Sequence, residues 1–320
     1  MNTVNETGFK KELENKLLNE KKLAQSSVKL YLRNLEKLND NQPLKNLNFL
    51  KDVKAITEKL QPYKENTKRG YFISITSVLS LDKTTKQKQK LYDEYFKLMM
   101  EKNKELKKEE GENVKTDTQA KNWIEWSEVE KIWGDLEKKV DSFKSSKELS
   151  EHQYNTLLQF VVLSLYVCLP PRRNEYQNMS IVKSATAQSP TDKNYYDVDN
   201  KRFIMNKYKT QKKEGQKIIE IPEVLQGVLS IYIKHHPLIK GKISKKTPPT
   251  AFLVYHDGQL LDKVNSITRI LNKVFGKKVG SSMLRHIYVS AKYGDMNEEQ
   301  KKDASIMGHS QDMARDYIKK

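Results

Sequence analysis

The chain has 320 residues, 31% charged and 37% hydrophobic, enough for two domains that each bury a core. It has no run of eighteen or more apolar residues, and the opening M-N-T-V-N-E-T lacks a basic-then-apolar pattern. Neither a membrane span nor a secretory signal is therefore expected. The formal net charge is +18, from 59 Lys+Arg against 41 Asp+Glu, and +9 of it falls within residues 201–250. A surplus of that size favours a polyanion, because each cation set on a phosphate releases a condensed counterion. Membrane surfaces are anionic too, but no strongly amphipathic basic helix with an aromatic face stands out. Nucleic acid is the expected partner, and a solvated lysine-rich surface is the alternative. The single cysteine, Cys168, excludes internal disulfides and fits a reducing compartment; within the apolar run 161–169 it is expected to be packed.

The first hundred residues carry helical periodicity. Val28, Tyr31, Leu32, Leu35 and Leu38 recur at helix spacing behind Ser26 and Ser27, either of which suits a cap. From Thr67 a second helix presents Tyr71, Ile75, Val78 and Leu79, with Lys68 and Arg69 in its first turn. Cations there oppose the helix dipole, so a compensating partner is expected, a phosphate backbone being one candidate. A third helix is expected over residues 91–106, with Tyr92, Tyr95, Phe96, Met99 and Met100 on its apolar side. Residues 107–121 are charged and polar without apolar periodicity, which reads as a linker. The expected division is a helical domain over 1–110, a linker over 111–121 and a larger domain over 122–320.

In the second domain Ser127 and Glu130 form a capping-box pattern ahead of Ile132 and Trp133. Residues 154–169 read as a buried helix stopped by Pro170 and Pro171. Strand-like runs at 202–206 and 217–221, separated by K-Y-K-T-Q-K-K-E-G-Q, predict a β-hairpin with a long basic loop, and Pro222 ends its second strand. The expected fold class is mainly α with a small antiparallel β-sheet.

Several nucleic-acid chemistries find no support. The twelve glycines are scattered, none in a phosphate-cradling G-x-x-x-x-G-K-[ST] string, and one cysteine argues against zinc. His235 and His236, followed by Pro237, read as a helix end. Paired carboxylates for two-metal cleavage are not evident, so no metal and no cofactor are expected. What remains is a series of basic motifs and a late tyrosine. Arg172 and Glu175 lie three apart in L-P-P-R-R-N-E-Y, one helical turn. Lys209 stands in N-K-Y-K-T at the start of the basic loop, Arg285 and His286 in S-S-M-L-R-H-I-Y, and His309 in I-M-G-H-S. Tyr317 follows His309 by eight residues, in R-D-Y-I-K-K. Arg173 competes with Arg172, which the spacing to Glu175 favours. Lys207, Lys212 and Lys213 compete with Lys209 as solvated loop lysines, and Tyr317 is one of 16 tyrosines that could serve in packing.

In this order the motifs resemble the tyrosine recombinase (phage-type integrase) family, over roughly residues 122–320. That family carries an arginine with an acidic residue three later, a lysine on a β-hairpin, H-x-x-R, G-H-S and a C-terminal tyrosine. The helical N-terminal part looks like the family's core-binding domain by pattern alone. The resemblance implies a C-shaped clamp of two domains around double-stranded DNA, several protomers (a tetramer) on paired sites, and an origin in a virus or other mobile element. By it, Arg172 and Arg285 grip the non-bridging oxygens of the scissile phosphate, as planar, always-charged guanidinium groups suit. His309 adds a hydrogen bond, Lys209 protonates the departing 5′ oxygen, Glu175 holds Arg172 or a neighbouring residue in place, and Tyr317 attacks phosphorus to form a 3′-phosphotyrosine. Lys68, Arg69, Lys207, Lys212 and Lys213 are the expected DNA-binding cations. The protein is expected where its target DNA lies, in the cytoplasm or, in a eukaryotic host, the nucleus.

Two departures stand out. Ser282 occupies the place of the histidine in H-x-x-R, and a serine hydroxyl is a poor base, so either His286 or water deprotonates Tyr317 or activity is reduced. The interval from His309 to Tyr317 is eight where the family more often has nine. Two other readings stay open: a type IB topoisomerase-like relaxation of DNA, and a DNA-binding relative without catalysis.

Overall fold

The computed structural model describes residues 8–111, 114–185, 189–244 and 247–307. The chain divides into two compact units, Met1–Val114 and Lys115–Lys320. The first is helical: α1 (Gly8–Asn19), α2 (Gln25–Leu38), a 3₁₀ turn at Asn48–Lys51, α3 (Val53–Leu60), α4 (Glu65–Leu79) and α5 (Lys86–Gly111). Val28, Leu32, Leu35 and Leu38 line the buried face of α2 and meet Leu17, Leu50, Ile75 and Tyr95 in one core. Neither Ser26 nor Ser27 caps α2, because the helix starts earlier, at the backbone of Ala24. Leu23 before that cap and Val28 in the second turn both join the core, the positions of a hydrophobic staple.

The two cations at the start of α4 have internal partners. Lys68 pairs with Glu65 at 2.7 Å, Glu65 also holds Lys102 of α5 at 2.8 Å, and Arg69 donates through Nε to Asn103. Bonds from Lys102 and then Lys68 keep the Glu65 carboxyl below its ordinary range. Helix α5 outruns the expected 91–106 at both ends. Its core face is Leu91, Tyr95, Leu98 and Met99, with the Tyr95 hydroxyl donating to the Leu50 carbonyl at 2.8 Å. Phe96 and Met100 are exposed, since the apolar stripe is wider than the face that α4 covers.

The second unit begins with α6 (Asp117–Asn122), so residues expected as linker are ordered. Thr116 and Gln119 form a capping box, and the Asn122 side chain accepts from the Lys278 backbone at 3.0 Å. Then come α7 (Trp126–Asp141), α8 (Glu151–Val167), a 3₁₀ turn at Asn174–Tyr176, β1 (Met179–Val182), β2 (Asn194–Asp197), β3 (Arg202–Met205), α9 (Gln211–Glu214), β4 (Lys217–Glu220), α10 (Glu223–His235), β5 (Thr250–Ala251), α11 (Ser266–Phe275) and α12 (Ser281–Ile306). The capping box expected at Ser127 does not form: α7 starts at Trp126, whose indole N–H donates to the Glu130 carboxylate at 2.8 Å. Helix α8 is apolar on nearly every side because α7, α10 and α11 all pack on it. Cys168 caps its end, and burial pushes that thiol up to about 11, away from thiolate chemistry.

The expected hairpin is β3–β4, with Ile204 opposite Ile218. The sheet is mixed, in the order β4-β3-β2-β1-β5, and not wholly antiparallel: β1 and β2 run parallel, because the 183–193 connection is long enough to cross back. Beneath it Phe203 packs at ring distances of 5.5 Å to Tyr176, 5.5 Å to Tyr196 and 5.9 Å to Phe252.

His236 sits fully buried at the end of α10, its Nε2 3.0 Å from the Ala251 carbonyl and its Nδ1 accepting from Leu238 N–H. Burial lowers its pKa below the ordinary 6.5. The unfolded chain therefore takes up this proton first, and the stability held by the neutral ring is lost as pH falls through about 6.5. Thermal unfolding at pH 7.5, 6.5 and 5.5 is expected to show this fall, flattened in His236→Gln. The same slope in both proteins would contradict it.

Candidate active site

Pro170 and Pro171 stop α8 and turn the chain into the Arg172 loop, which closes in a single 3₁₀ turn. There Arg172 Nε donates to Glu175 Oε2 at 2.8 Å, with the two side chains 20% and 11% exposed. Glu175 thus holds the guanidinium by one edge. Its other face lies toward the ring of Tyr208, 5.3 Å away. Tyr208 belongs to the basic loop, and its hydroxyl closes that loop on the Gly215 carbonyl at 2.6 Å. Gly215 adopts φ +70°, a conformation that glycine takes without strain. Lys207, Lys209, Lys212 and Lys213 are all exposed on this loop, and α9 inserts a helical turn into it.

The start of α12 joins the same patch through three contacts. Tyr166 of α8 donates to the Arg173 carbonyl at 3.3 Å and is also hydrogen-bonded by the buried Ser281. Asn174 donates to Thr268 of α11 at 3.4 Å. Gly280, just before α12, is packed so closely that a Cβ there would lie 3.1 Å from Thr268. Ser282 and His286 are exposed one turn apart on α12, and Arg285 between them is half-buried with no acidic partner among the described residues. A half-buried, unpaired guanidinium is a site for an incoming anion.

One web of contacts therefore links the Arg172–Glu175 turn to the basic loop, through Tyr208, and to the start of α12, through Tyr166 and Asn174, although more than a hundred residues separate its ends. Lys68 and Arg69 belong to the other unit, paired as above. His309 and Tyr317 lie outside the described residues.

Two positioning groups, Tyr166 and Asn194, have no signal in the sequence, and a third, Tyr208, lies inside the N-K-Y-K-T motif. Asn194 is buried, and its amide bridges the carbonyls of Glu175 and Lys207 at 3.2 and 2.9 Å. Only the lysines flanking Tyr208 hinted at that residue. Among the described residues there is no group of three or more His, Cys, Asp or Glu able to hold a metal ion, and no helix long and apolar enough to cross a membrane. Comparison of the chain with protein-family models, with curated proteins and with solved structures finds no match in any of the three.

Proposed function

We propose that the chain is a site-specific DNA recombinase of the tyrosine recombinase kind, working as several protomers on paired duplex sites. The observation that carries this reading is Arg172 held by Glu175 and faced by Tyr208 of the basic loop, with the start of the helix that carries Arg285 linked to the same turn through Tyr166 and Asn174. In the reaction, Tyr317 Oη attacks the phosphorus, the P–O5′ bond breaks, and Lys209 passes a proton to the departing 5′ oxygen. Arg172, Arg285 and His309 hold the non-bridging oxygens, and Ser282 donates a hydrogen bond to one of them. Ionising a free tyrosine at pH 7 costs roughly 4 kcal/mol, which cations around the phosphate can largely offset. The phosphotyrosine keeps the energy of the broken bond, so rejoining needs no nucleotide.

The test is covalent attachment to DNA through Tyr317, with Tyr317→Phe as the control.

A further inference from the structure

We infer that Asn194 is a positioning residue for strand cleavage, acting through Lys209; this rests on the recombinase reading above. Asn194 opens β2 and is 4% exposed. An asparagine amide offers two donor hydrogens and two acceptor lone pairs, and here all four are engaged. Nδ2 donates to the carbonyls of Glu175 at 3.2 Å and Lys207 at 2.9 Å. Oδ1 accepts from the backbone N–H groups of Asn206 at 2.8 Å and Lys207 at 2.7 Å.

The two ends of this bridge matter. Glu175 is the residue that holds Arg172, and Lys207 is two residues before Lys209. One buried amide thus ties the backbone under the phosphate-gripping arginine to the backbone under the lysine that protonates the leaving group. The β2–β3 ladder ends at the Tyr195–Ile204 pair, so beyond it the Asn194 side chain replaces the ladder bonds at the base of the loop. Asn206 extends the brace, donating to the Lys193 carbonyl at 2.8 Å and accepting from Gln216 at 2.6 Å on the far side of the loop. An aspartate at 194 keeps the shape but has no hydrogens for the two carbonyls. The loop would then drift relative to Arg172 while the lysine itself remained.

The defect has a chemical signature. When O5′ leaves, the electron pair of the broken P–O5′ bond stays on that oxygen, and the Lys209 ammonium supplies its proton. A 5′-bridging phosphorothiolate leaves as a thiolate and needs no proton. Wild-type, Asn194→Asp and Lys209→Ala proteins are compared on matched duplexes carrying either linkage at the mapped cleavage site. With Asn194→Asp, cleavage of the ordinary phosphodiester is expected to fall about 10²-fold, with DNA affinity unchanged. Cleavage of the phosphorothiolate stays near wild-type, as with Lys209→Ala. Should Asn194→Asp fail to fold, Asn194→Ser, which can bridge one carbonyl, is expected to show a smaller loss with the same rescue. Equal losses on both linkages, or wild-type cleavage of the phosphodiester by the variant, would overturn the inference. If the wild-type protein cleaves neither linkage, the recombinase reading itself fails.

Discussion

Replacing Arg172 with alanine is expected to lower the rate of covalent attachment to DNA by about 10²–10³-fold, the usual loss when a preorganised donor to a developing anion is removed. Arg172→Lys is expected to recover little. A lysine keeps the charge but loses the fork that grips Glu175 with one edge and leaves another for phosphate. Single-turnover trapping measures the effect, and a loss below about threefold would remove Arg172 from the site.

The largest stability effect is expected at Phe203. Its ring is fully buried and in contact with Tyr176, Tyr196 and Phe252. Phe203→Ala removes the centre of that aromatic stack and leaves a cavity under the sheet, at a cost of about 3–5 kcal/mol. For a unit of this size that is roughly 10 °C in Tm, read by thermal unfolding. Tyr176 lies between Phe203 and the Arg172 turn, so attachment to DNA should fall too. A change under about 2 °C would mean that the stack contributes little to the fold.

What could be read from the sequence was what local signals control. Helix α8 announces itself by an unbroken apolar run ended by two prolines. Strands β3 and β4 do so by β-branched and aromatic residues around a polar loop, with Pro222 as the stop. Strand β2 gives no such signal, because all four of its residues are buried and its faces do not alternate. Strand β5 is two residues long, and the parallel β1–β2 pairing depends on a crossover that no local pattern encodes. Suitable capping residues lay one or two positions inside α2 and α7, whose starts are set by core packing and by the Trp126–Glu130 bond. The charged residues of the candidate site were legible as motifs. The groups that hold them together, Asn194, Tyr166 and Tyr208, act only across the fold.

The proposed reaction stands or falls on Tyr317 as the nucleophile. The most direct test incubates the protein with nicked duplexes from a random or genomic pool, denatures it, isolates protein-bound DNA and maps the adduct by mass spectrometry. The expected result is an adduct on Tyr317 that disappears in Tyr317→Phe, and sequencing the trapped DNA would then give the site. Intact DNA binding with no adduct would contradict it and mark the chain as a DNA-binding protein that does not cut.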